Sequence, residues 1–258
     1  MLLYRLGPEG FAAASDRDGN ARFLHSDPFA GAPSTWQLGR PVDLESSSLL
    51  VPIQPGKIIG IGRNYADHAK ELDNPIPSEP VLFLKSPDSV IGPAAAIVLP
   101  PESERVEYEG EIAVVLKHSL RRADRARARA AILGVTAACD VTARDLQRRD
   151  PCFARAKSFD TFCPLGPAID VEPNLEALWV ETRVDGAVRQ RADGSAMLFD
   201  ILDLLVYASR MMTLRPGDVV LTGTPAGVGP LEPGAVLDVE VAGVGTLRNP
   251  VEAWKGDA

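Results

Sequence analysis

The chain has 258 residues, of which 45% are hydrophobic and 24% charged, and its formal net charge is -8. This length and balance allow one large core, or a large domain with a small one, and argue against disorder. The acidity speaks against nucleic acid as a partner, because a phosphate backbone repels such a chain on average. An anionic small molecule stays admissible, since local cations or a metal can reverse the field within one cleft.

Cys139, Cys152 and Cys163 are odd in number and form no C-x-x-C pair, which argues against a disulfide framework or a thiolate zinc site. The start shows no basic segment followed by an apolar run, and no stretch of about 18 apolar residues occurs. The expectation is a cytoplasmic protein with no signal peptide and no membrane span.

Residues 1–50 read as a small N-terminal domain of weakly patterned segments, with turn residues at Gly7-Pro8, Asp18-Gly19 and Gly31-Ala32-Pro33. The pattern changes at Pro52, and residues 51–258 form the main domain. Residues 57–62 are a short apolar run ended by glycines, hence a buried strand. Asn64 caps a helix over 65–72, stopped by Pro75 and Pro77, and 81–84 is another strand. A strand is expected over 106–116, and a helix over the alanine- and arginine-rich 121–133, its arginines forming a solvated face. A strand over 134–139, a short helix over 142–149 and an amphipathic helix over 197–212 follow. The C-terminal part holds short strands at 219–221, 236–241 and 245–247 between Gly- and Pro-rich corners, as in a rolled sheet. Strands dominate, with a few helices and no regular βα alternation. The fold class is therefore mainly β with a few helices (α+β), not a doubly wound sheet or TIM barrel.

Several familiar motifs fail. Gly60-Ile61-Gly62 lacks the third glycine of a dinucleotide fingerprint, since position 65 is tyrosine. The glycine-rich run from Gly223 to Gly229 lacks the G-K-[ST] ending of a P-loop, and there is no G-x-S-x-G elbow. His25, His68 and His118 are too far apart for a zinc helix.

The chemistry-bearing segment is Glu107-Tyr108-Glu109-Gly110-Glu111. On one strand these three glutamates share a face beside an apolar continuation. Crowded carboxylates near a core repel one another, and a hard divalent cation relieves this; the bland reading is a solvated strand face. Oxygen-only ligands suit Mg²⁺, Mn²⁺ or Ca²⁺ rather than zinc. Asp140, closing an apolar run, and Asp145 compete as a third ligand, and the pattern leans to Asp140. His68 and Glu71, three apart on the expected helix, face one side, either as an acid-base pair or as an ordinary helical pair. Lys157, in a turn-rich segment, is usually a solvated residue type, but close to a metal it can stabilise an enolate or bind a carboxylate.

In order along the chain come Gly62-Arg63-Asn64-Tyr65-Ala66-Asp67-His68, Pro80-Val81-Leu82-Phe83-Leu84-Lys85, Tyr108-Glu109-Gly110-Glu111 and Asp140-Val141-Thr142-Ala143-Arg144-Asp145-Leu146-Gln147. Lys157-Ser158-Phe159-Asp160, Leu221-Thr222-Gly223-Thr224-Pro225-Ala226-Gly227 and Gly245-Thr246-Leu247-Arg248-Asn249-Pro250 complete the set. Together they resemble the fumarylacetoacetate hydrolase superfamily, over about residues 55 to 251. The likeness is nearest the short bacterial members, in the branch of acylpyruvases, oxaloacetate decarboxylases and 2-hydroxyhepta-2,4-diene-1,7-dioate isomerases.

The resemblance implies a mixed β-roll catalytic domain with a small N-terminal domain, usually a homodimer. It implies one Mg²⁺ (or Mn²⁺ or Ca²⁺) per subunit on Glu109, Glu111 and Asp140, which demotes Glu107 and Asp145. It makes His68 and Glu71 a catalytic dyad, with Lys157 beside them. Arg63, Tyr65, Arg144, Gln147 and Thr224 become candidates for substrate binding. The implied reaction is hydrolytic C–C cleavage of a small 2-oxo or enol carboxylic acid, of dicarboxylic or acylpyruvate type, with His68 activating water. Isomerisation or decarboxylation through the same enolate is the alternative, and a catalytically silent metal-binding relative is the reading from another class. The stretch between Gln147 and Lys157, with Asp150-Pro151-Cys152, is shorter than in long relatives and borders the substrate, so the substrate's identity stays open.

Overall fold

In the computed structural model, residues 1–7, 10–14, 20–44 and 47–256 are described. The turns expected at Pro8 and at Asp18-Gly19 lie outside them. The strands before the first helix are β1 (Leu2–Leu6), β2 (Gly10–Ala14), β3 (Ala21–Leu24), β4 (Leu38–Val42), β5 (Leu49–Leu50) and β6 (Ile58–Gly62). Helix α1 (Ala66–Glu71) leads to β7 (Val81–Lys85), β8 (Val90–Ile91), β9 (Ile97–Leu99), β10 (Val106–Tyr108) and β11 (Gly110–Leu116). Then come α2 (Arg125–Ala130), β12 (Ile132–Cys139), β13 (Thr142–Ala143), α3 (Arg144–Arg149), α4 (Ala154–Lys157) and β14 (Cys163–Asp170). The chain ends through β15 (Trp179–Val184), β16 (Ala187–Asp193), α5 (Ile201–Met211), β17 (Val219–Leu221), β18 (Gly229–Pro230), β19 (Val236–Val241) and β20 (Gly245–Ala253). The mainly-β class stands: strands outnumber helices, and the longest α-helix has 11 residues. Among the described residues no helix is long and apolar enough to cross a membrane.

Among the described residues the strands form a 12-stranded sheet with the path β4-β3-β2-β1-β14-β12-β11-β17-β6-β7 and with β5 beside β1 and β8 beside β14, a five-stranded sheet β16-β15-β19-β20-β9, and a three-stranded sheet β13-β10-β18. The sheets are mixed. Pairing is mostly antiparallel, but β17 runs parallel to β6, β20 to β9 and β14 to β8. The N-terminal strands join the large sheet where β1 pairs with β14.

β11 explains its own unbroken apolar sequence, because both of its faces are buried. Ile112, Val114 and Leu116 enter the main core with Val180 of β15, Val239 of β19 and Leu204 and Leu205 of α5. Ala113 and Val115 enter a second core with Leu3, Ile53 and Leu165. A strand buried on both faces has no water to satisfy a polar group, so polar side chains are confined to its end, where Glu111 stands.

Two expected helices are shorter than their composition suggests. Over 121–133 the helix begins only after Asp124, whose side chain accepts from the Arg127 N–H at 2.8 Å, and at Ile132 the chain already enters β12. Over 197–212 it begins after Asp200, whose carboxylate accepts from the Asp203 N–H at 2.9 Å. The helix expected over 142–149 splits into β13 and α3, since Thr142 and Ala143 pair with β10.

Candidate active site

The expected single strand over 106–116 is two strands, because the chain changes sheets at Glu109. Tyr108 pairs with Gly229 in the three-stranded sheet and Gly110 pairs with Cys139 in the large one. Glu109 belongs to neither strand, and its carbonyl accepts from the Asp140 N–H at 2.8 Å. That bond sets the two acids side by side. The shared face of Glu107, Glu109 and Glu111 therefore does not exist. Glu107 turns instead to Arg105 Nε and Arg144 Nε, each donating at 2.6 Å. Asp145 accepts from Ser103 Oγ at 2.5 Å, away from the triad.

Gly110 follows the switch with no room for a side chain, since a Cβ there would collide with Thr182. Gln190 Oε1 accepts from the Gly110 N–H at 3.0 Å, and its Nε2 donates to Thr224 Oγ1 and the Pro225 carbonyl, each at 2.7 Å. Thr224 Oγ1 in turn donates to the Gly110 carbonyl at 2.9 Å. Glu111 Oε2 accepts from the Gly223 N–H at 2.6 Å.

Glu109, Glu111 and Asp140 each offer a carboxylate oxygen within 4.8 Å of the others, and all three are buried. Lys157, at the end of α4, donates from Nζ to Glu109 Oε2 at 2.7 Å and to Asp140 Oδ2 at 2.6 Å. Lys85, with a side chain 0% exposed, donates to Asp140 Oδ1 at 2.6 Å. Arg144 donates to Glu109 Oε1 and to Gln147 Oε1.

Burial opposes ionisation of Glu109, but the charges of Lys157 and Arg144 outweigh it and hold this carboxyl well below the usual range. Glu111 goes the other way. Burial, then the charges of Asp140 and Glu109, push its carboxyl well above the ordinary glutamate value, against a smaller pull from Lys157. Burial also disfavours the Lys157 ammonium, yet Asp140 and Glu109 raise its pKa, so it stays cationic. The donor set fits one hard divalent cation: three buried carboxylates close together, with no nitrogen or sulfur ligand among them.

His68 and Glu71 lie on α1, with His68 Nδ1 3.4 Å from Glu71 Oε2. The Glu71 carboxylate also accepts from the Gly227 N–H at 3.0 and 3.2 Å, which ties the helix to the loop after β17. A cavity of about 210 Å³ opens on this centre. Of the residues singled out in the sequence, Arg63, His68, Glu109, Glu111, Asp140, Arg144, Gln147, Lys157 and Thr224 all line it. Glu71 stands behind His68. Tyr65 is not on the cavity wall; its hydroxyl is buried without a partner among the described residues, and burial, then Glu111 and Asp193, raise its pKa.

Sequence reading missed Lys85, Gln190, Arg148, Phe83 and Phe153 as site residues. Lys85 had a signal, being a lysine that closes an apolar strand. Gln190 had none, because its partners are 34 to 80 residues away. Arg148, Phe83 and Phe153 line the cavity, with Lys157 Nζ 5.1 Å from the Phe83 ring centre.

Residues 57–252 match the family described as fumarylacetoacetate (FAA) hydrolase, C-terminal. The chain belongs to the fumarylacetoacetate hydrolase family. Within it, the chain is 41% identical to a 5-carboxymethyl-2-hydroxymuconate delta-isomerase from Mycobacterium smegmatis, with TM-score 0.89 over 98% of this chain and 100% of that one. It is 39% identical to a 2-hydroxyhepta-2,4-diene-1,7-dioate isomerase from Mycobacterium marinum, with TM-score 0.88 over 100% of both chains. It is 41% identical to the mitochondrial oxaloacetate tautomerase of Xenopus laevis, over 79% of this chain and 68% of that protein. The family resemblance read from the motifs thus holds, and relatives named for isomerase and tautomerase activity are prominent among those it matches.

Proposed function

We propose that this member of the family is a divalent-metal-dependent enzyme on a small 2-oxo or enol dicarboxylate, and that its main reaction is proton transfer between keto and enol or between isomeric enol forms. The observation that carries this is one small cavity holding the Glu109, Glu111 and Asp140 carboxylates together with His68 and Lys157. When bound by the three carboxylates, Mg²⁺ or Mn²⁺ supplies Lewis-acid polarisation of a 2-oxo acid.

The chain's own groups do the rest. Glu71, accepting from His68 Nδ1–H, selects the tautomer with Nε2 free to take a proton from the carbon beside the keto group. Lys157 is held cationic by its two carboxylates, so it stabilises negative charge rather than acting as the base. Arg144 is braced by Glu107 and Glu109, which keeps its guanidinium fixed at the cavity wall. The Arg63 and Arg148 side chains also line the cavity, and their guanidinium groups have no hydrogen-bond or ion-pair partner among the described residues, which suits a second carboxylate. The relatives named for a 2-hydroxyhepta-2,4-diene-1,7-dioate isomerase and for an oxaloacetate tautomerase support the same reading.

Hydrolytic C–C cleavage is the second reading. It is favoured by the pairing of the buried His68 with the partly exposed Glu71, which can equally deprotonate a water. A panel of oxaloacetate, acylpyruvates and 2-hydroxy-dienedioates with purified protein and Mg²⁺ or Mn²⁺ separates the two. A spectral change without fragmentation means tautomerisation or isomerisation. Pyruvate with a second acid means hydrolysis, and pyruvate with CO₂ means decarboxylation. Tight metal binding with no turnover on any of them leaves only a silent relative.

A further inference from the structure

The Thr222–Gly223 peptide unit is gripped at both ends. Its N–H donates to Glu111 Oε2 at 2.6 Å, and its carbonyl accepts from Asn64 Nδ2 at 2.8 Å. Asn64 is 1% exposed and spends its whole side chain on this neighbourhood. Nδ2 also donates to the Phe199 carbonyl at 3.0 Å, and Oδ1 accepts from the Phe199 N–H at 2.9 Å. The Asn64 carbonyl accepts from the Leu198 N–H at 2.8 Å, so the 197–199 segment is clamped on both the main chain and the side chain of one residue. Gly223 has φ +98°, and a Cβ there would lie 2.7 Å from Asn64 Cβ, so the close approach admits only glycine.

Two residues after Asn64 the chain enters α1, which carries His68 and Glu71. One buried residue therefore precedes the helix that bears the imidazole by two positions, and its side chain holds the peptide plane that aims a carboxylate of the triad. An asparagine placed only to cap α1 would bond to that helix's N–H groups. Asn64 makes no such bond, and α1 has no side-chain cap. The helix cap expected of Asn64 is thus replaced by a link across the site.

We propose that Asn64 is a positioning residue that registers the His68–Glu71 helix against the Glu111 carboxylate, acting through the Thr222–Gly223 peptide. Its amide donor holds that peptide plane so that the N–H faces Glu111, which fixes which Glu111 oxygen is left for the cation. This rests on the metal-site reading above. Removing the donor frees the peptide plane to rotate, and the Glu111 carboxylate loses the Gly223 N–H that holds it.

The test compares Asn64→Asp and Asn64→Ser with the wild type. Asn64→Asp keeps an acceptor for the Phe199 N–H but has no amide to give the Thr222 carbonyl. The control is Asn249→Asp: Asn249 is equally buried and donates to the Gly92 and Ala95 carbonyls at 2.9 and 2.8 Å, away from the cavity. Mn²⁺ affinity is read by calorimetry, and amide hydrogen exchange is read at Gly223 and at Thr222, whose N–H bonds to the Ile112 carbonyl. Both Asn64 variants are expected to bind Mn²⁺ about 10-fold or more weakly, with faster exchange at Gly223 and not at Thr222. Asn249→Asp is expected to lower thermal stability with Mn²⁺ affinity unchanged. Asn64 variants that bind Mn²⁺ like the wild type, or a Gly223 amide that exchanges no faster, overturn the proposal while leaving the metal site intact. A wild-type protein that binds no Mn²⁺ overturns the metal-site reading itself, and this one with it. If Asn64→Asp does not fold, Asn64→Ser, smaller and uncharged, decides.

Discussion

Lys85→Met tests the electrostatic balance of the site. Three buried carboxylates, Glu107, Glu109 and Asp140, face three buried cations, Lys85, Arg144 and Lys157, while Glu111 is pushed toward its neutral form. Lys85 Nζ touches Asp140 Oδ1 at 2.6 Å and the Lys157 carbonyl at 2.5 Å, with no exposure to water. Methionine fills similar volume but leaves Asp140 Oδ1 without a counter-charge and that carbonyl without its lysine donor. Breaking a buried pair from one side costs about 3–5 kcal/mol. For a chain of this size that is roughly 6–20 °C in Tm, at about 2–4 °C per kcal/mol. A bound divalent cation supplies the missing positive charge, so saturating Mg²⁺ should recover more Tm in Lys85→Met than in the wild type. Urea unfolding and calorimetry with and without Mg²⁺ measure both effects. A loss below about 1 kcal/mol, or equal Mg²⁺ stabilisation of both proteins, refutes the charge balance as argued.

Three more outcomes are expected. The Glu111 carboxyl titrates above the ordinary glutamate value of 4.5 and must lose its proton to ligate a cation, so metal affinity should rise with pH above that value, with proton release. The sign for stability is opposite: a raised folded-state pKa favours the metal-free fold below 4.5, and that contribution is lost as pH rises through the raised value. Calorimetry in buffers of different ionisation enthalpy reads the proton, and affinity flat with pH would count against the shift. His68→Ala should keep Mn²⁺ binding but lose roughly 10²-fold or more in kcat, and unchanged kcat removes its role as base. Arg63→Met and Arg148→Met should each raise KM for a dicarboxylate by roughly tenfold while sparing a monocarboxylate analogue; equal effects on both remove the second-carboxylate assignment.

Much of the site was legible in the residues, for local reasons. The apolar run after Glu111 reads as a strand running into the core, so an acid at its head stands at a core boundary. Asp140 at the end of another apolar run and the i,i+3 spacing of His68 and Glu71 carry similar information. Motif order along the chain then singled out Glu109, Glu111 and Asp140, which the fold brings within 4.8 Å. What the residues did not show depends on partners far along the chain. The break at Glu109 exists because Tyr108 and Gly110 pair with strands of different sheets, Gly229 in one and Cys139 in the other. Helix ends at Asp124 and Asp200 were set by caps that composition alone overran.

Local patterning determines several of the core strands, such as 58–62, 81–85 and 219–221, and which histidine has a carboxylate one turn away, because these follow from spacing along one backbone. Tertiary structure alone decided that Lys85 neutralises Asp140, that Glu107 belongs to Arg144 rather than to the triad, and that Asn64 reaches the peptide behind Glu111. Each of those pairings spans between 37 and 158 residues of chain, and such contacts are chosen by how whole sheets register against one another.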